Sequence, residues 1–196
     1  MLYSMVGNLK NYTKIDILRC LLRIGKPVSR SELSKTLDLG EGTIRSILDV
    51  LKENGFLGSN KHGHFLRPKG DNILDKIRDN AIIKEIDSAK IFPGQKKIGI
   101  QIKNAKDPEK SYILRDSAVK NGADGAIIIK YGHDKKLKIL DAKYDLDFSE
   151  IENKFSLNYG DIIVIAYADS YRLAEHGALA VATHLNDDLK HLMDKF

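Results

Sequence analysis

Between Thr13 and Ile24 the apolar residues Ile17, Leu18, Leu21 and Leu22 recur at helical spacing, with Thr13 in N-cap position and Gly25 and Pro27 closing the segment, which predicts a first helix. Ser29-Arg30-Ser31-Glu32 reads as a capping box, hydroxyl and carboxylate each satisfying an orphan amide. It opens a short second helix with Leu33 and Leu37 inward, ending at Leu39-Gly40. A third helix starts at Glu41-Gly42-Thr43, where Ile44, Ile47, Leu48 and Leu51 form one buried stripe, and stops at Gly55. Two apolar stretches, Phe56 to Ser59 and His64 to Arg67, then flank the polar turn Asn60-Lys61-His62-Gly63 and predict a hairpin. A helical stretch from Asn72 to about Lys84 carries Ile73, Leu74, Ile77, Ile82 and Ile83 on one broad stripe.

Beyond the turn Phe92-Pro93-Gly94-Gln95 the period changes. Lys97 to Lys103 alternates as a half-buried strand, Ser111 to Asn121 is helical, and Gly125 to Tyr131 with Leu137 to Leu140 forms a second hairpin around His133–Lys136. A short helix near Phe148 to Phe155, a strand Asp161 to Ala168 apolar on both faces, and a long helix from Ser170 towards Phe196 complete the chain. The expected fold class is α+β: an N-terminal winged helix-turn-helix domain over 1–88, then a small α/β domain over 89–196 in the order βαββαβα, a ferredoxin-like order with an added helix. Ile162 to Ile165 sits badly with that order, because the last strand would lie at an edge or be covered on one face only. Ala174, Gly177, Ala178 and Ala182 would let the last helix lie close to a sheet or to a twin from a second subunit.

Two short helices joined by a tight glycine-containing turn form a helix-turn-helix, whose second helix enters the major groove. Here that helix turns Gly42, Arg45, Ser46 and Asp49 outward, with Thr43 at the edge. Arg45 suits guanine O6 and N7 through its planar fork, and Thr43 and Ser46 suit phosphate or base. Lys61, His62, His64 and Arg67 on the hairpin, with Arg30 at the start of the second helix, extend the expected contact to double-stranded DNA. Charge points the same way. The chain carries a net charge of +5, and residues 1–80 hold 14 Lys and Arg against 9 Asp and Glu, so the whole excess lies in the first domain.

The stretch LRCLLRIGKPVSRSELSKTLDLGEGTIRSILDVLKENGFL, followed by the hairpin and RPKGDNILDKI, resembles the winged-helix domains of prokaryotic transcriptional regulators. With LRDSAVKNGADGAIII and GDIIVIAYADSYRLAEHGALA added, most of the chain resembles an archaeal winged-helix family with an α/β C-terminal domain. That resemblance implies a transcriptional regulator and brings no ligand or catalytic residue with it.

No hydrolase elbow, P-loop, GxGxxG, CxxC or HExxH occurs, so neither an enzyme nor a cofactor is expected. Arg115 and Asp116, with Asp124, and Asp169, Ser170, Arg172 and Glu175 fall at strand and helix ends, where α/β sheets hold ligands, and form the candidate effector site. His62 with His64, and His184, Asp188 and His191 at helical spacing, are metal-ligand patterns weighed and set aside for a solvated surface. Cys20 reads as a small buried hydrophobe. With no apolar run near the roughly 20 residues that span a bilayer and no signal peptide, a cytoplasmic protein is expected. The expected partners are DNA, a small effector and a second copy of the chain. An enzyme with an autoregulatory winged helix and a protein–protein adaptor are the rival readings.

Overall fold

The computed structural model describes residues 11–108, 110–142 and 146–196. Helix α1 (Lys14–Arg23) begins at a complete capping box: the Asp16 amide donates to the Thr13 hydroxyl at 3.2 Å and the Thr13 amide to the Asp16 carboxylate at 3.0 Å. At α2 (Arg30–Leu37) only half of the expected box forms, the Glu32 amide donating to Ser29 Oγ at 3.1 Å. Helix α3 (Glu41–Glu53) buries Ile44, Ile47, Leu48 and Leu51 as its spacing predicts. One core group was not legible as such. Arg19, 2% exposed, pairs with Asp16 at 3.3 Å and donates to the Leu37 carbonyl at 3.3 Å, tying α1 to the end of α2.

Strands β1 (Leu57–Asn60) and β2 (Gly63–Leu66) form the wing, closed by Lys61 and His62. A third short strand position joins them: the Val28 amide donates to the His64 carbonyl at 3.0 Å, and the His64 amide to that of Val28 at 2.8 Å. Gly63 makes this approach feasible, with φ at +123° and space in which a Cβ would lie 2.4 Å from the Val28 carbonyl oxygen. The chain divides into two compact units, one running up to Asp71 and taking in Phe196, the other spanning Asn72–Lys195.

Helix α4 (Pro68–Asn80) starts earlier and stops earlier than its apolar stripe suggested. Proline in the first turn lacks only an amide that has no helical partner there. Ile82 and Ile83 belong instead to strand β3 (Ala81–Glu85), which pairs antiparallel with β4 (Lys96–Ile102). After α5 (Ser111–Lys120) come β5 (Gly125–Tyr131), β6 (Leu137–Ile139), the short α6 (Ser149–Glu152) and β7 (Ile162–Ala168). The five strands run in the order β3-β4-β7-β5-β6, every neighbouring pair antiparallel.

This is not the ferredoxin-like order. There the third strand of the βαββαβ series separates the first two; here β6 stays outside as the hairpin partner of β5, and the last strand, β7, lies between β4 and β5. A central position explains why Ile162 to Ile165 are apolar on both faces. Ile163 and Ile165 join Ile127, Ile129, Ile151 and Phe155 in one core layer, while Ile162 and Val164, in register with Ile102 and Ile100, face the opposite way. β4 is likewise buried almost throughout instead of half-buried: Gly99 leaves room for Ile86 and Phe155 on its face, where a Cβ would come within 2.8 Å of Ile86.

Helix α7 (Tyr171–Leu185) packs on β4, β7 and α5. Its small residues serve this chain and not a twin: a Cβ at Gly177 would lie 2.5 Å from Ala123 Cβ and 3.1 Å from the Ala118 carbonyl. The expected single last helix is broken at Asn186, and α8 (Asp187–Met193) follows. The buried Asn186 side chain accepts from the Leu189 amide at 3.0 Å and donates to Asn80 Oδ1 and the Lys103 carbonyl, both at 3.1 Å. Asn186→Ala removes a helix cap and leaves a buried carbonyl short of a donor, so urea denaturation should show the second unit weakened by about 1–3 kcal/mol.

Candidate nucleic-acid interface

Burying one stripe of α3 fixes what its other face offers. Arg45 and Ser46 are exposed and Thr43 is half-buried at the edge. Among the described residues no group binds the Arg45 guanidinium, whereas Ser46 Oγ donates to the Gly42 carbonyl at 3.3 Å. The α3 N-cap is Gly40, which has no side chain to occupy the first-turn amides, and such amides suit a phosphate. Glu41 in the same turn is held by Arg30, Nε to Oε2 at 3.2 Å. That pair is solvated, so it holds Arg30 weakly and leaves it free to exchange Glu41 for a phosphate.

On the wing, Lys61 and His62 are exposed at the tip, and the His62 amide donates to Asn60 Oδ1 at 2.8 Å to stiffen the turn. Arg67 is exposed just after β2. His64 behaves differently. It is partly buried, its Nδ1 finds no hydrogen-bond partner among the described residues, and its pKa is lowered by burial and by the charges of Lys52 and Arg30, against a smaller raising effect of Asp49. Arg30 thus lies on α2, Thr43, Arg45 and Ser46 on α3, Lys61 and His62 at the wing tip and Arg67 after β2, while the partly buried His64 lies near Arg30, Asp49 and Lys52. Lys52, near the end of α3, has no sequence signal for its place beside His64, which depends on how the wing folds back.

The six effector candidates lie on two helices, Arg115 and Asp116 on α5 and Asp169, Ser170, Arg172 and Glu175 at the start of α7. Arg115 lies near Asp141, whose carboxylate accepts from the Ser111 amide at the start of α5. Ser170 caps α7, accepting from the Leu173 amide at 3.3 Å, and Leu173 lies against Gly122 past the other end of α5. Asp116 and Asp169 are exposed, Arg172 is half-buried, and Glu175 is buried within α7. A cleft of about 310 Å³ lined by Lys136, Leu137, Lys138 and Phe148, among others, contains none of the six. His184 directs Nδ1 to the Ala180 carbonyl at 2.9 Å, and His191 to that of Asp187 at 2.7 Å. The break at Asn186 removes the helical spacing that related them. Among the described residues no cluster of three or more His, Cys, Asp or Glu could hold a metal, and no helix is long and apolar enough to cross a membrane. Burial pushes the Cys20 thiol up to about 12, so it stays protonated.

The chain is thus an α+β protein with a winged helix-turn-helix unit followed by a five-stranded antiparallel unit covered by helices. Residues 13–72 match the family of PH0730-like N-terminal domains, and residues 93–185 match a domain of unknown function, DUF4443. Over 92% of its length the chain is similar to the structure of the hypothetical protein PH0730 from Pyrococcus horikoshii OT3, at 27% identity and a TM-score of 0.76, covering 99% of that chain. The structure of S. agalactiae BusR in complex with its busAB-promotor DNA matches at 15% identity over 86% of this chain and 94% of that one; a TM-score of 0.26 is too low for the likeness to bear on fold or function. No curated protein matches.

Proposed function

We propose that this protein is a DNA-binding transcriptional regulator, non-enzymatic, in which α3 reads the major groove, the wing follows the adjoining backbone, and the second unit dimerises or senses a small ligand. The observation that carries the reading is the unengaged Arg45 on the open face of α3, in the unit that also holds the exposed wing-tip Lys61 and the entire positive excess of the chain. A second copy would be met through α5, where Tyr112, Ile113 and Val119 are each about half exposed (50%, 50% and 51%), a large apolar surface for a helix already packed on its other side. A twofold-symmetric operator would present its two half-sites about 34 Å apart, one turn of the duplex.

Selection of genomic fragments with the purified chain gives the operator on which the reading is tested. Arg45→Ala should cost about 1–3 kcal/mol at one guanine-containing step and little on random duplex, whereas Lys61→Gln should weaken all duplexes alike and lower the salt slope by about 1. Equal loss for Arg45→Ala on operator and random DNA defeats the base-reading role. Failure of the chain to retard any duplex at low ionic strength defeats the regulator.

A further inference from the structure

We propose that the β5–β6 hairpin and the loop before β7 form a binding surface for single-stranded nucleic acid, separate from the winged helix and independent of the reading above. Four lysines gather there. Lys130 and Lys138 stand directly opposite each other across the antiparallel pair, an arrangement that costs stability through like-charge repulsion. Lys135 and Lys136 occupy the turn and are exposed. Asp107 meets Lys130 at 2.6 Å and Asp134 meets Lys138 at 2.5 Å, but among the described residues no carboxylate lies within ion-pair distance of Lys135 or Lys136. The hairpin therefore keeps a net positive charge.

Lysines on an edge strand are a common guard against edge-to-edge pairing, and that accounts for Lys138 on β6. It does not account for Lys130, whose strand has neighbours on both sides, nor for the aromatic pair beside it. The rings of His133 and Tyr159 stack with centroids 3.5 Å apart and planes 20° from parallel, and Tyr159 is 60% exposed. The Tyr159 loop is tied to the hairpin, the Gly160 amide donating to the Tyr131 carbonyl at 3.1 Å, so the platform is held in place before any ligand arrives. A preorganised aromatic stack flanked by unneutralised lysines is what an unpaired base and its phosphates recognise: stacking tolerates any base, and the lysines follow the backbone. A duplex, whose bases are already stacked, would leave the aromatic face unused.

The test is fluorescence anisotropy of a labelled oligothymidylate with the full chain at low salt. Binding should weaken steeply with added salt. Lys135→Gln with Lys136→Gln should weaken it about tenfold, Tyr159→Ser about tenfold, and Tyr159→Phe hardly at all. Arg45→Ala should leave it unchanged, which separates this surface from the winged helix. The proposal is overturned by any of three results: no binding at low salt, equal binding by wild type and Tyr159→Ser, or loss of oligothymidylate binding on Arg45→Ala. Because both Tyr159 and the two lysines are exposed, circular dichroism should report unchanged folding in every variant.

Discussion

Arg19→Met should destabilise the N-terminal unit by about 3–5 kcal/mol, enough to unfold much of it at physiological temperature. The reason is the asymmetry of a buried ion pair. With Arg19 gone, the Asp16 carboxylate keeps its bonds to Thr13 but loses the guanidinium at 3.3 Å in a site only 2% exposed, and the Leu37 carbonyl loses a donor. A unit of some seventy residues has little stability in reserve. Urea denaturation followed by circular dichroism should show an early transition that the wild type lacks, and DNA retention should fall with it. Adding Asp16→Asn to Arg19→Met should restore part of the loss, since an amide can keep the bond from the Thr13 amide without carrying charge. A single variant as stable as wild type would show that the pair contributes nothing.

Gly63→Ala should be the second most damaging change, at about 3 kcal/mol, although it adds one methyl group. Alanine is strained at a φ of +123°, and its Cβ would meet backbone, the Val28 carbonyl oxygen at 2.4 Å, which no side-chain rotation relieves. The two Val28–His64 hydrogen bonds would break first. Amide exchange at those residues should then speed up, and, if the wing takes part in the proposed duplex binding, that binding should drop for all sequences because the wing is no longer tied to Val28. Unchanged exchange at Val28 and His64 would refute this account.

Local chemistry made the first unit legible. Thr13, Ser29 and Gly55 mark helix ends through bonds made within a few residues, and the α3 stripe already defines which side Arg45 leaves open. Long-range pairing hid the rest. Ile82 and Ile83 continue a helical period as well as they begin a strand, and only the pairing of β3 with Gln101 and Ile100 on β4 decides between them. Arg115 lies near Asp141 and Ser170 caps α7, placements that no local spacing defines. Arg19 entered the charge count like any other arginine, although its charge is spent inside the core. Asn186 is legible locally, since an asparagine followed by Asp187 and Asp188 is an ordinary helix start, although an apolar period runs through it.

The place of β7 also sets an order of events during synthesis. Its seven residues bridge β4 and β5, so the β3–β4 and β5–β6 hairpins have nothing to bind them into one sheet until Ala168 has left the ribosome. Until then each hairpin presents an open inner edge rich in isoleucine, the kind of edge that recruits strands from other nascent chains. A pause before Ala168 has cleared the exit tunnel, with β4 or β5 already outside, would prolong that exposure.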